Sequence, residues 1–91
     1  NKLQRHYQAV ADLGCIVCRN QGIHSIPQIH HPYGRTKKHV MKVLGLCPSH
    51  HASGLKNDYV VSVHPWKREF ERRYGSQDEL LNQVDRLLEA E

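Results

Sequence analysis

The cysteines and four of the eight histidines are confined to three short segments, residues 15–18, 29–31 and 46–51. Their spacing constrains the fold more than any other feature of the sequence. A Cys-x-x-Cys pair followed by a Cys-x-x-His pair supplies the four soft or borderline ligands that a tetrahedral Zn²⁺ ion takes. The sequence therefore predicts a closed structural zinc site. Its predicted ligands are Cys15, Cys18, Cys47 and His50.

The identity of the fourth zinc ligand stays open between two neighbouring histidines. His51 follows Cys47 by four residues and could replace His50, although the Cys-x-x-His spacing favours His50. On a helix, His51 is then rotated by about 100° from His50 and faces away from the zinc. His30, His31 and His51 are therefore not needed for the structural metal, and they indicate a second site with a chemical role.

The size and cysteine content of the chain are typical of one small intracellular domain. Its 91 residues suit a single domain, residues 1–91, to which a bound metal adds stability. An odd number of cysteines at metal-binding spacing favours a reducing, cytoplasmic compartment over a disulfide framework. No apolar run approaches the roughly 18 residues of a membrane span. Because the chain begins with Asn1, we expect a fragment that lacks an upstream region, and we assume a monomer.

Positive charge is concentrated in the middle of the chain. The net charge is +4, and the stretch from Arg35 to Arg73 carries nine Lys or Arg against three acidic residues. From Asp78 onward there are five acidic residues and one arginine. This distribution predicts a polyanionic partner such as DNA, although scattered basic residues are also typical of an ordinary solvated surface.

The hydrophobic pattern predicts an α+β fold. A helix ending at Gly14 leads into the first cysteine pair, and a short strand follows at residues 26–31, on which His30 and His31 point to opposite faces. A loop at residues 32–42, a second strand at 43–46 and a helix carrying Cys47, His50 and His51 complete a hairpin followed by a helix.

The C-terminal third is predicted to be mainly helical. Residues 59–63 form either a third strand or an extended connection, and Pro65 lies in the first turn of the next helix. Trp66, Phe70 and Tyr74 recur at i, i+4 and i+8 and are predicted to be an aromatic core stripe. Residues 76–79 form a capping box before a last helix with a leucine-rich face.

A second metal site follows if the hairpin folds over the helix that carries His51. His30 or His31 then approaches His51, and a divalent ion could be held by histidines from both elements. A further histidine nearby suits the role of general base, because its pKa lies near neutrality. Such an arrangement is typical of phosphodiester hydrolysis.

With these cysteine and histidine segments, the sequence resembles the zinc-stapled branch of the HNH, or ββα-metal, endonucleases. It is most similar to the phage Ref-type RecA-dependent nucleases, over nearly the whole chain. The residues that carry the resemblance are Gly14-Cys15-Ile16-Val17-Cys18-Arg19, Ile29-His30-His31, Leu46-Cys47-Pro48-Ser49-His50-His51, Ser62-Val63-His64 and Phe70-Glu71-Arg72-Arg73-Tyr74-Gly75.

The resemblance implies a role for each histidine of the second site. His30 binds the catalytic ion and His31 is the general base, while His51 and His64 are further metal ligands. HNH proteins place an asparagine between the hairpin strands to orient the base, but residues 32–46 contain none. His39 or a backbone carbonyl is expected to take its place. The implied cofactors are a structural Zn²⁺ and a catalytic Mg²⁺ or other divalent cation.

The sequence thus predicts an HNH-type DNA endonuclease directed by RecA filaments, located in the bacterial host cytoplasm if it is phage-encoded. The basic residues beside the hairpin are expected to hold DNA phosphates without sequence preference. These are Arg35, Lys37, Lys38 and Lys42. The alternatives are a non-catalytic zinc finger that binds DNA and a zinc-knotted protein adaptor. Both leave His30, His31 and His51 without a role.

Overall fold

The fold is built around a short β-hairpin that five helices surround. The structure is a computed structural model, which describes residues 1–90. Its elements in chain order are α1 (Lys2–Asp12), α2 (Ile16–Asn20), β1 (Gln28–His30), β2 (Leu44–Leu46), α3 (Pro48–His51), α4 (Lys67–Tyr74) and α5 (Gln77–Ala90). The strands pair antiparallel, with Gln28 opposite Leu46 and His30 opposite Leu44. The α+β class predicted from the sequence is confirmed.

Helix α1 begins with a capping box at Asn1 and is followed by a glycine with a positive φ angle. The Asn1 side chain accepts a hydrogen bond from the Gln4 backbone N–H, and the Gln4 side chain returns to the Asn1 backbone, which makes a capping box. Val10 and Leu13 are buried on the inner face. Gly14 follows with φ of +78°, a conformation that glycine adopts without strain. The chain therefore turns sharply into the first cysteine pair.

Strand β2 lies at the centre of the core. Leu44 and Leu46 are fully buried, and β2 contacts α1, α2, α3 and α5. A Cβ atom on the intervening Gly45 would lie 2.7 Å from the carbonyl oxygen of Gly14. A side chain at this position would therefore push α1 away from the hairpin.

The segment between α3 and α4 is an extended connection, and not a third strand. Its one ladder contact is an isolated bridge between Lys56 and Val61. The segment is nevertheless fixed to α3, because the backbone N–H groups of Val63 and His64 donate to the carbonyls of His50 and His51 at 2.9 Å each. These bonds hold the start of the α4 segment beside the histidines of α3.

The prediction for the start of α4 is wrong in two respects. The helix begins at Lys67, so Pro65 lies outside its first turn. Trp66 is the N-cap and has non-helical dihedral angles, so its ring leaves the stripe of Phe70 and Tyr74 and is 38% exposed. The indole Nε1–H donates to the Gly54 carbonyl at 2.9 Å, and the Lys56 ammonium lies 4.3 Å from the ring centroid. Phe70 is fully buried, as expected.

Helix α5 forms as the sequence predicts. The Ser76 hydroxyl accepts from the Glu79 backbone N–H at 3.1 Å, and the Glu79 carboxylate accepts from the Ser76 N–H at 3.0 Å, which completes the capping box. Leu80 and Val84 are buried on its inner face. Among residues 1–90, no helix has the length and apolar character needed to cross a membrane.

Candidate metal centres

Three cysteines and one histidine form a buried cluster with the dimensions of a zinc site. The cluster consists of Cys15, Cys18, Cys47 and His50, whose ligand atoms all lie within 4.8 Å of one another. The Sγ atoms of Cys18 and Cys47 are 3.8 Å apart. His50 Nδ1 lies 3.1, 3.7 and 3.8 Å from the sulfurs of Cys47, Cys18 and Cys15. A tetrahedron with ordinary Zn–S and Zn–N bonds has S–S edges of about 3.8 Å and S–N edges of about 3.5 Å.

Two very short helices supply these ligands. Cys15 is the N-cap of the five-residue α2, and Cys47 is the N-cap of the four-residue α3. Helices of this length are not stable in water by themselves. Here each carries two of the four cluster residues, so a metal bound by both would cross-link them. The local fold and the cluster therefore depend on each other.

Burial and hydrogen bonds act differently on the protonation of the individual cluster residues. Burial raises the pKa of the Cys15 thiol to about 12. Burial acts in the same direction on Cys47, but hydrogen bonds from the His50 backbone and from neighbouring side chains hold its pKa below the usual value. Burial lowers the pKa of His50, which keeps its ring neutral. Because metal ligands must be deprotonated, a cation bound here would displace the proton that burial keeps on Cys15. The geometry of the four donors is that of a site able to hold a structural metal ion such as zinc.

His50, and not His51, lies with the three cysteines. His50 is 5% exposed and directs Nδ1 at the three sulfurs. Its ring packs edge-on against Tyr74, with centroids 5.2 Å apart. Within residues 1–90, its Nε2 has no hydrogen-bond partner. His51 faces away from the cluster, as its position one residue further along the helix predicts.

A second cluster unites three histidines from three parts of the chain. His30 ends β1, His51 ends α3, and His64 precedes α4, and one nitrogen of each lies within 4.8 Å of the others. Ring centroids are 5.1 Å apart for His30–His51 and His30–His64, and 5.4 Å for His51–His64. His30 is buried, His51 half-buried and His64 exposed. The cluster therefore opens to solvent on one side, as a catalytic site requires.

Two glutamines fix the orientation of two of these histidines. His30 Nε2 donates to the side-chain oxygen of Gln77 at 2.6 Å, and His51 Nδ1 donates to that of Gln28 at 2.7 Å. Each ring therefore has its second nitrogen, Nδ1 of His30 and Nε2 of His51, free of a proton. Partners of this kind are common behind metal-binding histidines, because they set the tautomer and the ring orientation.

Burial and close packing keep two of these histidines neutral. The pKa of His30 is lowered to about 4, mainly by burial and also by the neighbouring histidines, against the opposing hydrogen bond with Gln77. Burial and the proximity of His64 lower the pKa of His51. Both imidazoles are thus in the neutral form that binds metals. All the donor atoms are nitrogens, which suit first-row transition ions better than Mg²⁺, an ion that prefers oxygen.

His31 lies outside the histidine cluster and contacts a tyrosine. It follows the last residue of β1, and its Nε2 is 3.0 Å from the hydroxyl oxygen of Tyr7 on α1. That hydroxyl donates to the Val40 carbonyl at 2.8 Å. Burial and the charge of Arg35 both lower the pKa of His31. His30 and His31 therefore have different surroundings, as expected from their opposite faces.

His39 does not contact His31 in the way expected from the sequence. Its ring packs against Tyr33, with centroids 5.6 Å apart. Its Nδ1 is buried and has no hydrogen-bond partner within residues 1–90. The hydrogen-bond partner of His31 is Tyr7 on the N-terminal helix, so Tyr7 occupies the position expected for His39.

The predicted phosphate-binding residues lie on the exposed loop between the strands. Arg35, Lys37, Lys38 and Lys42 are all exposed. Arg35 is close enough to His31 for its charge to act on the imidazole. The Lys42 ammonium lies 5.6 Å from the centroid of the Tyr33 ring. The loop thus carries positive charge beside His31.

Three residues that contact the candidate site were not predicted from the sequence, namely Tyr7, Gln28 and Gln77. Gln28 precedes His30 by two residues on the same strand, so its proximity to the site could have been expected. Tyr7 lies on the core-facing side of α1, where packing is the ordinary role of an aromatic side chain. Gln77 is separated from His30 by 47 positions, and no local pattern connects the two.

The chain matches a known protein family over nearly its whole length. A search of curated proteins yields no match. The family described as "Recombination enhancement, RecA-dependent nuclease" matches residues 2–89, which is nearly the whole chain. This match confirms the Ref-type resemblance seen in the cysteine and histidine segments. The chain belongs to the RecA-dependent nuclease family, and its function is that of a nuclease linked to RecA.

Proposed function

We propose that this protein is a metal-dependent DNA endonuclease of the HNH type, directed to its substrate by RecA filaments. The observation that carries the proposal is the convergence of His30, His51 and His64 beside His31. Membership of the RecA-dependent nuclease family supports DNA as substrate and RecA as partner. The order strand, strand, helix around the histidine cluster supports the ββα-metal assignment.

The two metal centres have different roles in this proposal. Cys15, Cys18, Cys47 and His50 would hold a structural zinc that fixes α2 and α3. His30, His51 and His64 would hold the catalytic ion through the nitrogens that Gln28 and Gln77 leave free. When bound, that divalent cation supplies neutralisation of negative charge on the scissile phosphate and on its leaving oxygen.

The protein residues provide the remaining chemistry. His31 accepts a proton from the attacking water, and the hydroxide formed attacks phosphorus as the leaving oxygen departs with the electron pair of its bond. Arg35, Lys37, Lys38 and Lys42 bind backbone phosphates of the DNA and position it over the cluster. Phosphate contacts carry no base specificity, so cleavage without sequence preference is expected.

The donor set informs the choice of catalytic ion. The sequence-based expectation was Mg²⁺ or another divalent cation. Imidazole nitrogens suit transition ions, and none of the three donor residues supplies the oxygen that Mg²⁺ prefers. Mg²⁺ would depend on oxygens from phosphate and water to complete its coordination. We therefore propose a divalent ion of the transition series as the preferred activator.

Two histidine variants and one control test the assignment. Purified zinc-loaded protein is incubated with plasmid DNA, and with RecA-coated DNA, while Mg²⁺, Mn²⁺ or Co²⁺ is titrated. His31→Ala should lose about 10²–10⁴-fold in cleavage rate while keeping its zinc and its DNA affinity. His51→Ala should require more divalent ion and should be partly restored by it. The exposed His24→Ala is the matched control and should cleave normally.

Three outcomes would overturn the proposal. The first two are a parental cleavage rate in His31→Ala, and a rescue of His31→Ala by added metal as full as the rescue of His51→Ala. In either case His31 is not the base. A parent protein that binds one zinc, binds DNA and cleaves neither substrate with any of the three ions is instead a zinc-dependent binding module.

A further inference from the structure

We propose that Tyr7 is the positioning residue for His31, and that it fixes the imidazole in the tautomer whose Nδ1 accepts the proton from water. This inference rests on the proposed function, because it assumes that His31 is the general base. The geometry that carries it is a chain of two hydrogen bonds. They run from His31 to the Tyr7 hydroxyl and from that hydroxyl to the Val40 carbonyl.

The direction of each hydrogen bond follows from counting protons. A carbonyl oxygen only accepts, so the Tyr7 hydroxyl must use its single proton in the 2.8 Å bond to Val40. The tyrosine oxygen then has only lone pairs to offer to His31 Nε2, which lies 3.0 Å away. His31 must therefore donate through Nε2–H. A neutral imidazole with a proton on Nε2 has its lone pair on Nδ1.

The tyrosine is well placed to hold this orientation. Its ring is part-buried and packs against the hydrophobic core, so the hydroxyl has little freedom to move. The Tyr7 and His31 rings meet nearly perpendicular, at 83°, with centroids 5.6 Å apart. Val40 belongs to the loop that follows β1. The two hydrogen bonds of the Tyr7 hydroxyl therefore connect α1, the residue after β1 and the basic loop.

The same contact persists through the proposed proton transfer. When Nδ1 takes a proton from water, the imidazole becomes cationic and Nε2–H remains a donor to Tyr7. Hydrogen bonds from a charged donor are stronger than those from a neutral one. The contact is thus strongest while His31 carries the extra proton. Tyr7 contacts neither substrate nor metal in this scheme and acts only through His31.

Tyr7→Phe tests the inference, since it retains the ring and removes only the hydroxyl. We expect the turnover number on DNA to fall about 10–100-fold, the range that loss of a hydrogen bond to a charged group produces. Zinc content, DNA affinity and the divalent-ion concentration for half-maximal activity should stay unchanged. Tyr59→Phe, on a tyrosine that is 90% exposed, is the matched control and should cleave at the parental rate.

A spectroscopic measurement separates positioning from simple packing. Long-range ¹H–¹⁵N correlation spectra of the zinc-loaded parent should show His31 protonated on Nε2 and unprotonated on Nδ1. In Tyr7→Phe the His31 ring should populate both tautomers, while the signals of the other histidines stay in place. The parent spectrum needs neither activity nor a variant, so it remains informative if Tyr7→Phe is unstable.

The outcomes distinguish this inference from the proposed function. A parent spectrum with the proton on Nδ1 overturns the role of Tyr7 whether or not the protein cleaves DNA. Parental turnover in Tyr7→Phe, with an unchanged tautomer, overturns it as well. If instead His31→Ala cleaves normally, the general-base assignment fails, and the inference about Tyr7 fails with it.

Discussion

Replacing Gln77 by methionine should weaken the histidine cluster more than the same change at Gln28. Both glutamines accept a hydrogen bond from a cluster histidine, at 2.6 Å for Gln77–His30 and 2.7 Å for Gln28–His51. Methionine has a similar length but no side-chain carbonyl. The two substitutions therefore remove the same acceptor from two sites that differ mainly in their exposure to water.

Burial determines the size of the two effects. Gln77 is 5% and His30 4% exposed, so Gln77→Met leaves the His30 Nε2–H without a partner, which costs about 1–3 kcal/mol of stability. At about 4–8 °C per kcal/mol for a domain of this size, the melting temperature should fall by roughly 5–20 °C. Gln28 is exposed and water can replace it, so Gln28→Met should change stability by no more than about 0.5 kcal/mol.

The affinity for a divalent ion should follow the same order. Loss of a partner behind a metal-binding histidine lowers metal affinity by about 10–100-fold, and Gln77→Met should fall in this range. Gln28→Met should fall below it. Thermal unfolding of the zinc-loaded protein and calorimetric titration with Ni²⁺ measure the two quantities on the same samples. Gln21→Met, on an exposed glutamine just after α2, controls for the substitution itself.

Two results would refute this reasoning. Equal losses in the two variants would mean that burial of the hydrogen bond does not set its contribution. Parental melting and parental Ni²⁺ affinity in Gln77→Met would mean that His30 is held by other contacts, and that Gln77 has no part in the site.

Three further predictions address the remaining parts of the site. Cys47→Ser should lose its zinc and its cooperative thermal transition, because zinc binding is linked to folding in small metal-stapled domains; metal analysis and circular dichroism test this, and an unchanged melting curve would contradict the structural site. Changing Arg35, Lys37 and Lys38 together to alanine should lower the slope of log DNA affinity against log salt by up to about three; an unchanged slope would assign DNA binding to another face. His64→Ala should weaken divalent-ion binding while His6→Ala does not, and calorimetry with equal affinities would remove His64 from the ligand set.

Features encoded within a few residues could be read from the sequence. The Cys-x-x-Cys and Cys-x-x-His pairs each lie on one turn of chain, so local spacing brings the two members of each pair together. That the two pairs also meet was predicted from the pattern of zinc ligands. Gly14 and the capping box at Ser76 mark helix boundaries through local backbone chemistry. The opposite environments of His30 and His31 follow from the alternation of a strand.

Features that depend on how distant elements pack could not be read in this way. The contact of Tyr7 with His31 requires α1 to lie against the hairpin, and the contact of Gln77 with His30 requires α5 to start beside β1. Trp66 fits the aromatic period of α4 but lies at its N-cap, where the dihedral angles turn the ring outward. A one-residue difference in the start of a helix is beyond what periodicity resolves.

The four-residue helix α3 affects how chelation experiments on this protein should be interpreted. Its adjacent residues His50 and His51 belong to different candidate metal clusters, so removing an ion from the buried cluster should displace the backbone that carries a residue of the open cluster. Under the proposed function, a chelator should therefore abolish cleavage through either centre. The order of recovery should tell them apart: stoichiometric Zn²⁺ is expected to restore the fold, and only then is a second divalent ion expected to restore the cutting of DNA. A protein that has lost its zinc would consequently look like one that lacks its catalytic ion.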